Sequence, residues 1–233
     1  MRVRVATTAL GITAALLALP ACSTGSTADQ NPSAAPTDTS SDRAQETAVL
    51  SSAALESRLL DQSDLGSGYL PQPERPAQHD DVTVLGCPAL SKLGDNAAMG
   101  GTLAFPDRAK ADFAYGSSPS EVSEELYSAS PEKLSDGIDR IFDAMTDCPT
   151  YQVLAGGTPI DIASQKLPAP HGRGDEQWSQ LLTFTAEGRS RLDKQTAVRD
   201  GSLLLVVSGS PALVDRYLDM ALTKATATAT ATS

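Results

Sequence analysis

The sequence is poor in the residue types from which most catalytic and metal sites are built. It contains two histidines and three cysteines in 233 residues, too few and too scattered for a zinc site. His79 and His171 lie in stretches rich in proline and glycine, so we interpret both as exposed loop residues, with a pH-sensing role as the alternative. No GxSxG, P-loop, HExxH or GxGxxG motif occurs. These absences predict a protein that is not an enzyme and holds neither a metal nor a cofactor.

Basic residues are also few, because 18 lysines and arginines stand against 29 aspartates and glutamates. The formal net charge is −11 at pH 7. Loss of residues 1–21, which contain Arg2 and Arg4 and no acidic residue, lowers this charge by two, to −13. Phosphate backbones and anionic surfaces repel such a protein. We therefore expect no nucleic-acid partner.

A long apolar run occurs only at the N-terminus, where residues 5–19 are almost unbroken apolar sequence after two arginines. The run is short for a membrane span, which needs about 20 residues, and its layout is typical of a signal peptide over residues 1–21. Leu19-Pro20-Ala21-Cys22 resembles the lipobox of bacterial lipoproteins. That resemblance implies acyl chains such as palmitate on Cys22 and anchoring at the extracytoplasmic face of the cell membrane. The alternative is an ordinary secreted protein in which Cys22 is incidental.

The two remaining cysteines, Cys87 and Cys148, make an even pair in an oxidising compartment, so we predict a disulfide between them. Closing a loop of about 60 residues would stabilise the fold by roughly 4 kcal/mol in the chain-entropy model. The alternative is two free buried thiols. The bridge would join the end of a helix to the strand before Cys87.

Composition divides the rest of the chain into three parts. Residues 22–45 are rich in Ser, Thr, Ala and Pro without apolar periodicity, which predicts a lipid-anchored, disordered linker. Residues 46–224 form one domain, and about 180 residues can bury a normal core. Residues 225–233 alternate alanine and threonine, and we interpret them as a disordered tail. O-glycosylation of the linker stays an open hypothesis.

The best-marked element is a helix that begins at Pro131, with Ser130 as N-cap, and ends before Pro149. Two further helices are predicted over 49–60 and 211–224, while 71–81 is irregular and a polar loop follows Cys87. Very short turns join the last three strands, which only antiparallel neighbours allow. The predicted fold class is therefore α+β, a single domain with a mainly antiparallel β-sheet and flanking helices. The predicted strands are 82–85, 101–105, 109–115, 121–128, 150–155, 159–166, 176–187, 190–199 and 202–208.

The order of several short landmarks resembles an actinobacterial family, the extracellular sensor domains of PknH-type serine/threonine kinases and of stand-alone lipoproteins. The resemblance implies an antiparallel sheet with flanking helices, a ligand groove and no catalysis. The kinase sensor domain has two disulfides whereas this chain can form one, so the groove would differ in shape. The landmarks are Leu59-Leu60, Asp64-Leu65, Gly68-Tyr69, Gly86-Cys87-Pro88-Ala89-Leu90, Asp147-Cys148-Pro149, Gly174-Asp175-Glu176 and the strand Leu203–Val207.

Aromatic residues give the weak candidates for such a groove. Trp178 is the only tryptophan, and with Tyr127 it is our candidate for the lining of a ligand site. The alternative for an aromatic residue on a strand is burial in the core.

Acidic residues give no converging set. Glu124 and Glu125 are adjacent on a predicted strand and therefore point to opposite faces. Asp139, Asp143 and Asp147 share one face of the predicted helix, which indicates solvated surface, with a hard-cation site as the alternative. Arg173-Gly174-Asp175 has the letters of an adhesion tripeptide, but we interpret it as a turn.

These observations favour a membrane-anchored extracytoplasmic lipoprotein with a non-catalytic, ligand-binding or sensor-like domain. Its partners would be the cell membrane, through the lipid, and an unknown envelope ligand or protein. Two alternatives stay open: an envelope enzyme that acts on polysaccharide through an unrecognised site, and a passive structural wall lipoprotein. A glycosidase would need two carboxylates about 5–9 Å apart in a cleft.

Overall fold

A computed structural model describes residues 48–74, 82–94, 105–116, 120–169 and 171–227. The predicted signal peptide, Cys22, the linker and His79 lie outside these described residues. None of the helices in the described part of the chain is long and apolar enough to cross a membrane.

The described residues form nine strands and five helices. The strands are β1 Tyr69–Gln72, β2 Val82–Leu85, β3 Asp107–Tyr115, β4 Glu121–Ser128, β5 Thr150–Ala155, β6 Thr158–Lys166, β7 Glu176–Ala186, β8 Arg189–Asp200 and β9 Leu203–Gly209. The helices are α1 Ser52–Glu56, α2 Gln62–Leu65, α3 Pro88–Leu93, α4 Pro131–Asp147 and α5 Pro211–Thr226.

All nine strands belong to one sheet, in the order β1-β3-β4-β9-β8-β7-β6-β5-β2, and every neighbouring pair is antiparallel. The hairpin turns have the residues that such turns require. Gly156 and Gly157 join β5 to β6 with φ of 55° and 81°, and Glu187 and Gly188 join β7 to β8 with φ of 51° and 75°. Two positive φ angles match the twist of a two-residue hairpin. The predicted α+β class is confirmed.

Each face of the sheet is packed by a different set of helices. On the first face, α4 buries an apolar stripe of Leu134, Ile138, Phe142 and Met145 against the sheet, and α3 packs beside it. On the second face, α1, α2 and α5 share one core cluster with β1, β3, β4, β8 and β9. That cluster contains no residue of β7, β6, β5 or β2.

The sheet departs from a flat plane, because its two edge strands, β1 and β2, follow each other in the chain. Through the successive strand pairs, Gln72 at one edge aligns with Lys166 on β6. Val82 at the other edge aligns through β5 with Thr158, eight residues away on the same strand β6. In a flat sheet these positions would be about 46 Å apart, from eight strand spacings and eight residues of stagger. Ten residues reach at most about 36 Å. The sheet is therefore not flat, and its twist and curl shorten the distance between these two positions.

Three predicted elements differ from the structure. The predicted helix over 49–60 is shorter in the structure, where only α1 lies in that range. A separate helix, α2, follows because the side chain of Asp61 accepts hydrogen bonds from the N–H groups of Ser63 and Asp64. The polar loop predicted after Cys87 is helix α3, which Pro88 begins at its first position. β1 occupies the start of a stretch predicted as irregular, since Pro71 is tolerated in an edge strand.

At the C-terminus, α5 continues to Thr226, and Ala225 is fully buried. The first two residues of the predicted disordered tail thus belong to the helix. The predicted strand 101–105 lies outside the described residues except for Phe105, whose ring packs edge-on against Tyr127.

Candidate functional site

The predicted disulfide between Cys87 and Cys148 is confirmed, with Cα atoms 5.7 Å apart and a sequence separation of 61. Cys87 is the N-cap residue of α3 and Cys148 directly follows α4. The bridge therefore ties the end of α4 to the chain just after β2, as the sequence analysis predicted. Both sulfur atoms belong to the core cluster on the first face of the sheet.

The landmark Gly174-Asp175-Glu176 is a structural corner between β7 and the end of β8. The guanidinium of Arg199 donates to Asp175 at 2.8 Å and to Glu176 at 3.0 Å, and the backbone N–H of Asp175 donates to the Arg199 carbonyl at 2.7 Å. The hydrogen bond from Arg199 lowers the pKa of the Glu176 carboxyl. These contacts within the domain give the landmark residues a structural role that requires no ligand.

The Arg173-Gly174-Asp175 tripeptide is held within the same corner. Arg173 forms a two-pronged ion pair with Asp219 of α5, while Asp175 is bound to Arg199. Both charged side chains thus have partners inside the domain, which agrees with the interpretation of this segment as a turn.

Trp178 and Tyr127 come together in one cluster on the first face, beneath α4. Tyr127 is 1% exposed and donates its hydroxyl hydrogen bond to Glu125. Trp178 is half-buried against Phe142, and its indole N–H donates to Asp139 at 2.7 Å. This placement favours the core interpretation of both aromatic residues, and their contact with a ligand stays a prediction.

Of the three aspartates predicted to share a face of α4, Asp139 accepts the hydrogen bond from Trp178. The other two, Asp143 and Asp147, are exposed. The described residues contain no group of three or more His, Cys, Asp or Glu that could hold a metal ion.

Glu124 and Glu125 point to opposite faces of the sheet, as predicted from the strand pleat. Glu125 forms an ion pair with Lys110 of β3 at 3.2 Å. Glu124 is buried on the second face, where the N–H of Leu60 donates to it at 2.6 Å. Desolvation raises the pKa of Glu124 to about 7.

A shallow groove of about 540 Å³ lies on the outer half of the second face, over β5, β6 and β7. The pleat explains its composition, because Tyr151 and Ile162 belong to the core on the first face while their neighbours along each strand face the groove. Leu85, 43% exposed, lies at its margin on β2. The lining residues are Leu85, Gly86, Thr150, Tyr151, Gln152, Asp161, Ile162, Ala163, Thr183 and Thr185.

The groove is rich in neutral hydrogen-bonding groups. Asp161 is the only acidic or basic side chain among its described lining residues, and it accepts a hydrogen bond from the amide of Gln152 at 2.8 Å. The groove thus carries one negative side chain, whereas the chain as a whole has a net charge of −11. The resemblance implied a ligand groove, but neither Trp178 nor Tyr127 lines this one. Its lining gave no signal in the sequence, because the exposed faces of β5, β6 and β7 look like ordinary solvated strand faces.

A second hollow of about 330 Å³ lies on the first face beside the β7–β8 hairpin. Its lining includes Phe184 and Arg191, whose guanidinium lies 5.4 Å from the ring centroid of that phenylalanine. Arg191 also reaches Asp193 at 2.6 Å and Glu121 at 3.8 Å. These contacts hold the charged side chains in place around the hairpin.

Comparison with known proteins shows the fold. No protein-family model matches the chain, and no curated protein matches its sequence. The extracellular domain of PknH from Mycobacterium tuberculosis has a similar structure, with a TM-score of 0.55 and 13% sequence identity over 77% of this chain and 96% of that domain. A putative uncharacterised protein from Mycobacterium smegmatis aligns with a TM-score of 0.40 and 13% identity, over 71% of this chain and 93% of that one. The predicted resemblance to the PknH extracellular domain is confirmed at the level of fold.

Proposed function

We propose that this chain is a lipoprotein, anchored through Cys22 at the outer face of the cell membrane, whose domain binds a ligand and performs no catalysis. The observation that carries the proposal is the shared fold with a domain that is itself extracellular. That likeness extends over nearly the whole of the related domain. It supports a similar location for this chain.

The disulfide between Cys87 and Cys148 supports the same location, because disulfides persist in oxidising compartments and are rare in the cytosol. The bridge uses both of the cysteines that follow Cys22 in the chain. Cys22 is then left for acylation, for which the residues before it are suited. Two acyl chains give a stable anchor where one gives a marginal one.

Detergent phase partition of the native protein tests the anchor. We expect the mature wild-type chain in the detergent phase, and a chain that begins at residue 23, without signal peptide or Cys22, in the aqueous phase. Intact mass should show the acyl chains on the wild-type protein alone. Aqueous partition of the wild-type chain with an unmodified thiol would show that Cys22 is incidental.

The groove over β5, β6 and β7 is the proposed ligand site. Threonine hydroxyls at positions 150, 183 and 185 and the amide of Gln152 offer both donors and acceptors, and its volume lies within the usual range for small-molecule sites, about 300–1,000 Å³. Because only one lining side chain is charged, the groove suits a neutral, hydrogen-bonding ligand such as a wall glycan better than an anionic lipid.

Thermal-shift measurements on the chain from residue 23 onwards, which lacks the signal peptide and the anchor, test this site. Neutral glycan fragments should raise the melting temperature, and Thr183→Val, which keeps the side-chain shape but removes the hydroxyl, should reduce that shift. The control is Thr158→Val, a threonine at the exposed end of β6 that does not line the groove, and it should leave the shift unchanged. Flat responses to glycans, lipids and wall fragments would favour a passive wall lipoprotein, and breakdown of a glycan would favour the enzyme.

A further inference from the structure

One buried carboxyl group has no part in the groove or in the anchor. Glu124 of β4 is 1% exposed on the second face of the sheet. Its neighbours on the adjoining strands are Ala111 and Val207, and it is covered by the segment that leads into the domain. We call this segment, residues 48–65, the arm.

The carboxyl group holds the arm through a single strong contact. The N–H of Leu60 donates to Oε2 of Glu124 at 2.6 Å. The other oxygen, Oε1, is buried and has no hydrogen-bond partner within the described residues. A buried ionised carboxylate is costly unless it is paired. The surroundings therefore suit a neutral carboxylic acid, whose Oε2 still accepts the hydrogen bond from Leu60.

The nearby charges relieve this cost only in part, because they are engaged with other groups. Lys224 of α5 forms ion pairs with Asp61 and Asp64 of the arm, and Arg58 donates to the carbonyl of Ala225 at 2.8 Å. Among the charged groups of these elements, Lys224 lowers the pKa of Glu124 and Asp64 raises it. The described charged and titratable groups on the elements around Glu124 are Glu56, Arg58, Asp61 and Asp64 on the arm, Asp215, Arg216, Tyr217, Asp219 and Lys224 on α5, Tyr69 on β1, and Asp107, Arg108, Lys110, Asp112 and Tyr115 on β3.

We propose that Glu124 is a proton-operated latch: with its carboxyl group protonated the arm stays packed on β4, and with that group ionised the arm loosens. The arm joins the domain to the linker that is predicted to carry the anchor. The latch would let the acidity of the surroundings control how firmly the domain holds its own entry segment. The proposal does not depend on the ligand groove.

The direction of the effect follows from the two states of the arm. Burial raises the pKa of Glu124 from 4.5 to about 7 in the closed state, against the opposing effects of the Leu60 N–H and of Lys224. With the arm open, the group meets water and its pKa returns to the ordinary value. Opening therefore becomes easier as the pH rises from 4.5 towards 7, by roughly 300-fold in all, and changes little above that range.

Amide hydrogen exchange on the full mature chain tests the latch, with each rate divided by the intrinsic rate at that pH. In the wild-type chain, protection of the Leu60 amide and of other arm amides should fall by roughly 50-fold between pH 5 and pH 7.5. Glu124→Gln keeps an oxygen for Leu60 and cannot ionise, so its arm should be equally protected at both pH values.

Glu125→Gln is the matched control, because that residue is adjacent in sequence but faces the other side of the sheet, where it binds Lys110. This variant should keep the wild-type pH dependence of the arm. The proposal is overturned if arm protection in the wild type is the same at both pH values, or if Glu124→Gln retains the dependence. It is also overturned if the arm amides are as strongly protected as the amides of β9 at both pH values, since the arm would then open only by global unfolding.

Discussion

The corner at Gly174 allows a sharp test of the fold, because a single methyl group there meets backbone. The φ of Gly174 is 59°, and a Cβ built on it would lie 2.4 Å from the carbonyl oxygen of Arg199. That oxygen belongs to β8 in the middle of the sheet and cannot move without disturbing two strands. Gly174→Ala should therefore break the hydrogen bond from the Asp175 N–H to the Arg199 carbonyl.

The expected loss combines three effects. Left-handed backbone costs alanine about 1 kcal/mol relative to glycine. Loss of the backbone hydrogen bond costs about 1 kcal/mol. Displacement of Asp175 weakens its partly exposed ion pair with Arg199 by up to about 1 kcal/mol. We expect the free energy of unfolding to fall by about 3 kcal/mol, which urea denaturation followed by tryptophan fluorescence measures.

Gly188 provides the matched control, since its φ is 75° and nothing lies within 4 Å of a Cβ built there. Gly188→Ala in the β7–β8 turn should show the backbone cost alone, about 1 kcal/mol. The difference between the two variants measures the collision with β8. Equal losses in the two variants would refute the close approach at Gly174 and the structural explanation of this landmark.

Three further changes have defined outcomes. Replacing Cys87 and Cys148 together by alanine should lower the free energy of unfolding by about 4 kcal/mol, and an unchanged urea midpoint would contradict that. Because the pKa of Glu124 is raised on folding, the wild type should lose stability from pH 4.5 to pH 7, and Glu124→Gln should gain about 3 kcal/mol over it at pH 8 and little at pH 4.5. Because Arg199 lowers the pKa of Glu176, the stability advantage of the wild type over Arg199→Met should shrink as the pH falls from 7 to 3, and a constant difference would argue against the pair.

Several elements could be predicted from the sequence because their signals are local. The bounds of β4 and β5 agree with the prediction, since tight turns and adjacent prolines frame these strands. The start of α4 at Pro131 follows from the residue types that begin helices. The pairing of Cys87 with Cys148 follows from counting.

Other features depend on partners distant in the chain. β1 contains Pro71 and four residues in all, and it is a strand only because β3 binds it. The end of α1 at Glu56 depends on the burial of Leu59 and Leu60 against the sheet, which no local pattern shows. The position of the groove could not be predicted for the same reason, since exposure of a strand face depends on which helices cover it.

Sequence alone determined the α+β class, the acidic charge, the disulfide and the opposite orientation of Glu124 and Glu125, because composition, counting and the two-residue period of a strand act at short range. Only the tertiary structure decided which polar groups are buried and which strand faces are left uncovered. Burial of Glu124 arises where the arm, β4 and α5 meet, and these three segments are far apart in the chain. The electrostatic cost of a charge depends on everything packed around it, and that environment exists only after folding.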